Sequence, residues 1–161
     1  MMGAKTRRLE NNLVTLGTGV IAFGLWAFIK LILTVILLGS AYYEDAGEED
    51  QLAAVISTWV IAILTVLMYV WLGMSARAEG KGKHVKPVYL FFAGMICAYG
   101  FAMILLEAFY LITDFIDIDD PLILVITIFI DVTRMIFLIQ LIYSSVALRK
   151  IRKQAKEEVK T

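Results

Sequence analysis

Four ionisable residues lie inside long apolar stretches of the sequence: Lys30, Glu107, Asp131 and Arg134. A charge at the centre of a bilayer costs roughly 2.5–3.5 kcal/mol on insertion scales, so such residues usually find partners or mark an ion or proton pathway. Two are basic and two are acidic. At ~1.5 Å of helical rise per residue, all four fall within one layer about 10 Å thick. The set can therefore neutralise itself.

Two pairing schemes fit these four charges. Asp131 and Arg134 are three residues apart on one helix face and are expected to pair with each other. Lys30 would then pair with Glu107 between the first and third helices. The swapped scheme, with Lys30 on Asp131 and Glu107 on Arg134, stays open. A fully paired network predicts a structural role, whereas a proton or ion path would leave a carboxylate in contact with water.

The elements that must hold these charges are four apolar segments. Apolar residues make up 60% of the 161 residues, and the mean hydropathy is +0.80. Soluble domains usually have ~45–50% apolar residues. The segments cover residues 13–39, 52–75, 87–113 and 121–148, and each can cross a bilayer as a helix that satisfies its own backbone. The predicted fold is all-α: one domain, a polytopic membrane protein with a four-transmembrane-helix antiparallel bundle, because short loops join consecutive helices.

The charge distribution predicts the orientation of this bundle. Thirteen of the 15 basic residues lie before the first segment, between the second and third, or after the fourth. The two remaining loops carry nine acidic residues and no basic one. Basic residues concentrate on the cytoplasmic side, so short basic tails at both termini are expected in the cytoplasm. Short loops and no cleaved signal favour a multi-pass protein of a prokaryotic plasma membrane.

Small residues predict where the helices approach each other. On the third helix Gly94, Ala98 and Ala102 form a row, and Gly100 lies on a neighbouring stripe; the first helix offers Gly17 and Gly24. Such rows allow close helix packing, either within the chain or in a homo-oligomer. The second segment carries no charge, so the first, third and fourth helices are expected to build the polar core, and the second to be more exposed to lipid.

Charged residues outside the segments suggest two further interactions. Arg149, Lys150, Arg152 and Lys153 are expected to contact lipid headgroups, where each base is worth ~1 kcal/mol, although they could serve only to set the topology. Asp114, Asp117, Asp119 and Asp120 do not follow the spacing of a calcium-binding EF-hand loop. A solvated acidic surface is therefore favoured over a metal site.

Motifs for catalysis are absent from the sequence. There is no zinc-protease, phosphate-loop or paired-cysteine motif, and the single Cys97 and single His84 cannot form a metal cluster. We expect a non-enzymatic membrane protein without a cofactor or nucleic-acid partner. It would act through contacts with the lipid bilayer, anionic lipids, a second copy or another membrane protein. The alternative is a small ion- or proton-coupled transporter or channel subunit that uses Glu107 or Asp131.

Overall fold

The structure, a computed structural model, describes residues 2–38, 48–113 and 121–158. These residues form four α-helices: α1 (Met2–Leu38), α2 (Glu48–Gly80), α3 (Val88–Thr113) and α4 (Pro121–Glu158). Residues 81–87 form the turn between α2 and α3, where Gly82 adopts a positive φ of 83°. The described part of the chain contains no strand, which confirms the prediction of an all-helical fold.

Each helix contains a stretch that is long and apolar enough to cross a membrane: Gly3–Ile29, Leu52–Gly80, Val88–Leu106 and Val125–Ala155. Many large apolar side chains point away from the bundle, among them Ile112, which is 80% exposed, and Phe129, which is 73% exposed. Such an apolar exterior is unfavourable in water and favourable in lipid. The chain is thus a multi-pass integral membrane protein.

Three helices extend beyond their predicted apolar segments at the same end of the bundle. α1 begins at Met2 rather than at residue 13, α2 ends at Gly80 rather than at 75, and α4 ends at Glu158 rather than at 148. The added segments contain no proline and are rich in good helix formers. They lengthen α1 and α4 by roughly 15 Å each. We call the end of the bundle formed by residues 2–12, 76–87 and 149–158 the basic end.

Every helix buries a stripe whose residues are spaced three, four or, in α3, four and seven apart, the repeat that lets helices pack lengthwise. The stripes are Leu9, Leu13, Leu16 and Val20 in α1; Tyr69, Leu72, Ala76 and Glu79 in α2; Tyr89, Ala93 and Gly100 in α3; and Leu138, Leu141, Ser145 and Leu148 in α4. All of them lie in the half of the bundle nearer the basic end. No described residue in 25–32, 52–68, 101–112 or 125–137 is fully buried.

The most extensive helix contact joins α1 to α2; α1 also packs on α4, and α3 packs on α4 and touches α2 only slightly. Within the described residues, α1 and α3 do not meet. α1 and α2 approach closely because both carry glycine: a Cβ on Gly17 would lie 2.6 Å from the carbonyl oxygen of Gly73, and one on Gly24 would collide with Tyr69. α2 thus packs closely on α1, while its apolar stretch is the least buried of the four, in agreement with the expectation that α2 is more exposed to lipid.

Candidate functional site: an ion-pair cluster at the basic end

Glu79, in the last turn of α2, is a buried carboxylate with only 2% of its surface exposed. Its Oε1 accepts a hydrogen bond from Arg149 Nε at 2.7 Å. Its Oε2 accepts from Arg149 Nη2 at 2.8 Å, from Ser145 Oγ at 3.0 Å and from the hydroxyl of Tyr89. The guanidinium therefore binds both carboxylate oxygens, the geometry that gives strong and directional ion pairs.

The neighbouring elements hold these partners in place. Ser145 and Arg149 are four residues apart and so share one face of α4, while Tyr89 lies in the first turn of α3. Arg149 Nη2 also donates to the carbonyl oxygen of Val85 at 3.0 Å, which fixes the turn between α2 and α3. The guanidinium lies 5.8 Å from the centre of the Tyr89 ring, within the range of a cation–π interaction.

Arg152, nearly one turn beyond Arg149, connects α4 to both α1 and α2. Its Nη2 donates to Glu10 Oε1 at 2.9 Å and to the backbone carbonyl of Glu79 at 3.2 Å. That carbonyl lies in the last turn of α2 and also accepts a hydrogen bond from the backbone N–H of Gly82 at 3.0 Å. Two carboxylates and two guanidiniums thus join α1, α2 and α4, and Tyr89 adds α3. We call Glu10, Glu79, Tyr89, Ser145, Arg149 and Arg152 the ion-pair cluster.

An open pocket of about 650 Å³ borders the ion-pair cluster. Its lining includes Lys83, His84 and Val85 from the turn between α2 and α3, and Lys153 and Ala155 from α4. Glu10, Glu79, Arg149 and Arg152 complete the wall. We call this space the basic pocket.

A second charged site lies deeper in the bundle. Arg134 Nη2 is 2.9 Å from Asp131 Oδ1, so the predicted ion pair within the fourth helix is present. Arg134 Nε is buried and makes no hydrogen bond to any described residue. The pair lines a cavity of about 440 Å³ whose other walls are largely apolar and aromatic, including Trp26 of α1 and Tyr99 of α3. We call it the mid-membrane cavity.

Other predicted residues fall outside the described part of the chain or outside helix contacts. The side chains of Lys30 and Glu107 are not described, so their pairing stays a prediction, and the acidic loop of residues 114–120 is likewise outside the described residues. Of the four small residues singled out on the third helix, Gly100 faces Met135 and Arg134 of α4. A Cβ on Gly94 would meet nothing within 4 Å, and Ala98 and Ala102 are exposed, so an interface with a second copy stays a prediction for that row.

The predicted headgroup contacts divide into two classes. Lys150 and Lys153 are exposed, and Lys153 lies 3.9 Å from Glu157. Arg149 and Arg152 bind carboxylates of the bundle instead, so their first role is internal. Glu10 and Glu79 were not anticipated. The signal in the sequence was their position: they are acidic residues within basic segments, and Glu79 continues the buried stripe of α2.

Comparisons with protein families, characterised proteins and solved structures give no match to this chain. Within the described residues, no group of three His, Cys, Asp or Glu side chains could hold a metal ion. The two charged sites are therefore the features of this chain that bear on its function.

Proposed function

We propose that this chain is a non-enzymatic integral membrane protein that acts through contacts with lipids or with other membrane proteins. The observation that carries this proposal is the ion-pair cluster, in which two carboxylates and two guanidiniums satisfy one another and join all four helices. Charges engaged in this way stabilise one arrangement of the bundle. A reaction centre would instead need a reactive group accessible to a substrate.

The proposed arrangement is an antiparallel bundle with both termini in the cytoplasm of a prokaryotic cell. The contacts between α1 and α2 support the antiparallel arrangement, since Gly17 lies near Gly73 and Glu10 lies near Gly80. The concentration of basic residues at one end supports the orientation. The test is labelling in intact cells with a membrane-impermeant thiol reagent, starting from Cys97→Ser. Lys150→Cys should be protected until the cells are opened, whereas Glu48→Cys should react at once; the reverse pattern would reject this orientation.

The experiment that tests the function is proton and ion flux in liposomes that contain the purified protein. A protein acting through contacts should give no flux above protein-free liposomes. Flux that Glu107→Gln abolishes in a folded protein would reject the proposal and place that carboxylate on a pathway.

The second candidate function is a small ion- or proton-coupled transporter or channel subunit. The mid-membrane cavity favours it, because the cavity reaches the Asp131–Arg134 ion pair in the less tightly packed half of the bundle. A carboxylate beside a cavity is the minimum that such a function needs. In the flux assay, Asp131→Asn should then abolish transport. The double variant Asp131→Asn with Arg134→Gln is the control, since it removes both charges and leaves no unpaired guanidinium.

A further inference from the structure

The basic pocket combines a cavity with an excess of positive charge. Four cationic side chains line it (Lys83, Arg149, Arg152 and Lys153) against two carboxylates, Glu10 and Glu79. The lining therefore carries a net charge of +2 when His84 is left out of the count. Both carboxylates bind the two arginines, so the lysines supply the charge that is not balanced within the ion-pair cluster. Lys153 also lies 3.9 Å from Glu157, an exposed contact in which both side chains face solvent.

The two arginines keep hydrogen-bonding capacity after binding the carboxylates. A guanidinium has five N–H donors. The bonds to the bundle use Nε and Nη2 of Arg149 and Nη2 of Arg152. Their side chains line the pocket and remain 29% and 31% exposed. Planar, fixed guanidiniums with nearby lysines are the combination that recognises phosphate oxygens.

The apolar segments predicted from the sequence would also place the pocket at the depth of a membrane surface. Glu79 and Arg149 follow the predicted apolar segments, which end at residues 75 and 148, by about one helical turn or less. The interfacial region beyond the hydrocarbon core contains the lipid phosphates. Basic pockets between helices at this level bind anionic headgroups.

We propose that the basic pocket binds a phosphate-bearing anion, supplied either by a lipid headgroup or by a soluble phosphate ester. Lys83 and Lys153 contribute the long-range attraction, and Arg149 and Arg152 contribute directed hydrogen bonds. This inference rests on the proposed function and deepens it, since it names the chemical class that the basic end recognises.

The test compares three probes on purified protein in a neutral detergent, with thermal unfolding as the readout. The probes are short-chain phosphatidylglycerol, phosphatidylcholine of the same chain length, and inorganic pyrophosphate. Stabilisation by phosphatidylglycerol but not by pyrophosphate identifies a lipid headgroup as the source, and the reverse identifies a soluble phosphate. Stabilisation by both supports the site with either source. Equal stabilisation by both lipids without an effect of pyrophosphate, or no stabilisation by any probe, overturns the proposal.

Two matched double variants separate the pocket from general surface charge. Lys83→Ala with Lys153→Ala removes two pocket lysines and should weaken anion binding about 30-fold, at ~1 kcal/mol for each base. Lys81→Ala with Lys150→Ala removes the same charge from exposed residues at the same end that do not line the pocket. Its effect should be below about five-fold. Equal weakening by the two double variants would overturn the pocket as the site.

Failure of this inference is distinguishable from failure of the proposed function. The lysine variants leave the ion-pair cluster intact, so their folding provides the baseline for the binding measurement. If the protein binds none of the three probes and conducts no ions, only the pocket proposal is rejected. If the protein conducts ions and Glu107→Gln or Asp131→Asn abolishes that conduction, the proposed function is rejected, whether or not the protein binds anions.

Discussion

Replacing Glu79 by glutamine tests whether the ion-pair cluster stabilises the bundle. The substitution keeps the size of the side chain but removes the charge that binds Arg149 through two hydrogen bonds of 2.7 and 2.8 Å. Removing one partner of a buried ion pair typically costs 3–5 kcal/mol, because the other charge stays without compensation. Arg149 is 29% exposed, so water recovers part of that loss. We expect Glu79→Gln to lower the free energy of unfolding by about 2–3 kcal/mol.

The assay is unfolding by a denaturing detergent in mixed micelles, followed by the fluorescence of the native tryptophans. Glu157→Gln is the matched control, since Glu157 is 67% exposed and lies 3.9 Å from Lys153. An exposed pair of this kind should contribute no more than about 0.5 kcal/mol. Equal losses in the two variants would refute the structural role of the cluster.

A double-mutant cycle makes this prediction sharper. Glu79→Gln combined with Arg149→Gln removes both charges, so neither remains buried without a partner. The double variant should be more stable than the sum of the single losses indicates, with a coupling of at least about 1 kcal/mol. Strict additivity would show that the two side chains do not stabilise the bundle as a pair.

Three further substitutions test the packing around the cluster. Gly17→Ala places a methyl group against the carbonyl of α2 and should cost about 1–3 kcal/mol in the same unfolding assay, whereas Gly94→Ala has open space and should be neutral or stabilising by up to ~1 kcal/mol. Tyr89→Phe removes a hydroxyl donor to the buried carboxylate and should cost about 1–1.5 kcal/mol; no loss of stability would contradict that bond. Exchanging the charges of Glu10 and Arg152 should restore most of the stability that either reversal removes, and failure of this rescue would show that their 2.9 Å contact is unimportant.

The local features of this fold were predictable from the sequence. Segment length and hydropathy predict four spanning helices, and the structure contains them. The Asp131–Arg134 pair was predictable because its residues are three apart, so the helix itself brings them together. The helix extensions at the basic end were missed, since a polar sequence does not reveal whether the helix continues beyond the hydrocarbon.

The contacts between helices were harder to predict because they depend on the rotation and register of each helix. Glu79 and Arg149 are 70 residues apart, and nothing in the spacing of either residue identifies the other as its partner. The close contact between α1 and α2 was not predicted, for a physical reason. The absence of charge within the predicted segment of α2 indicated exposure to lipid, and its apolar stretch is the least buried of the four; packing between membrane helices also depends on small residues, and Gly73 lies against Gly17.

The long sequence separations within the cluster have a consequence for biosynthesis. Glu79 precedes Arg149 by 70 residues, and Glu10 precedes Arg152 by 142. At a synthesis rate of about 5–20 residues per second, roughly 4–14 s pass between the synthesis of Glu79 and that of Arg149. Glu79 lies at the basic end rather than in the middle of α2, so its carboxylate is expected to stay near water until Arg149 is available. Because α4 carries both arginines, the ion-pair cluster cannot form before α4 has been synthesised.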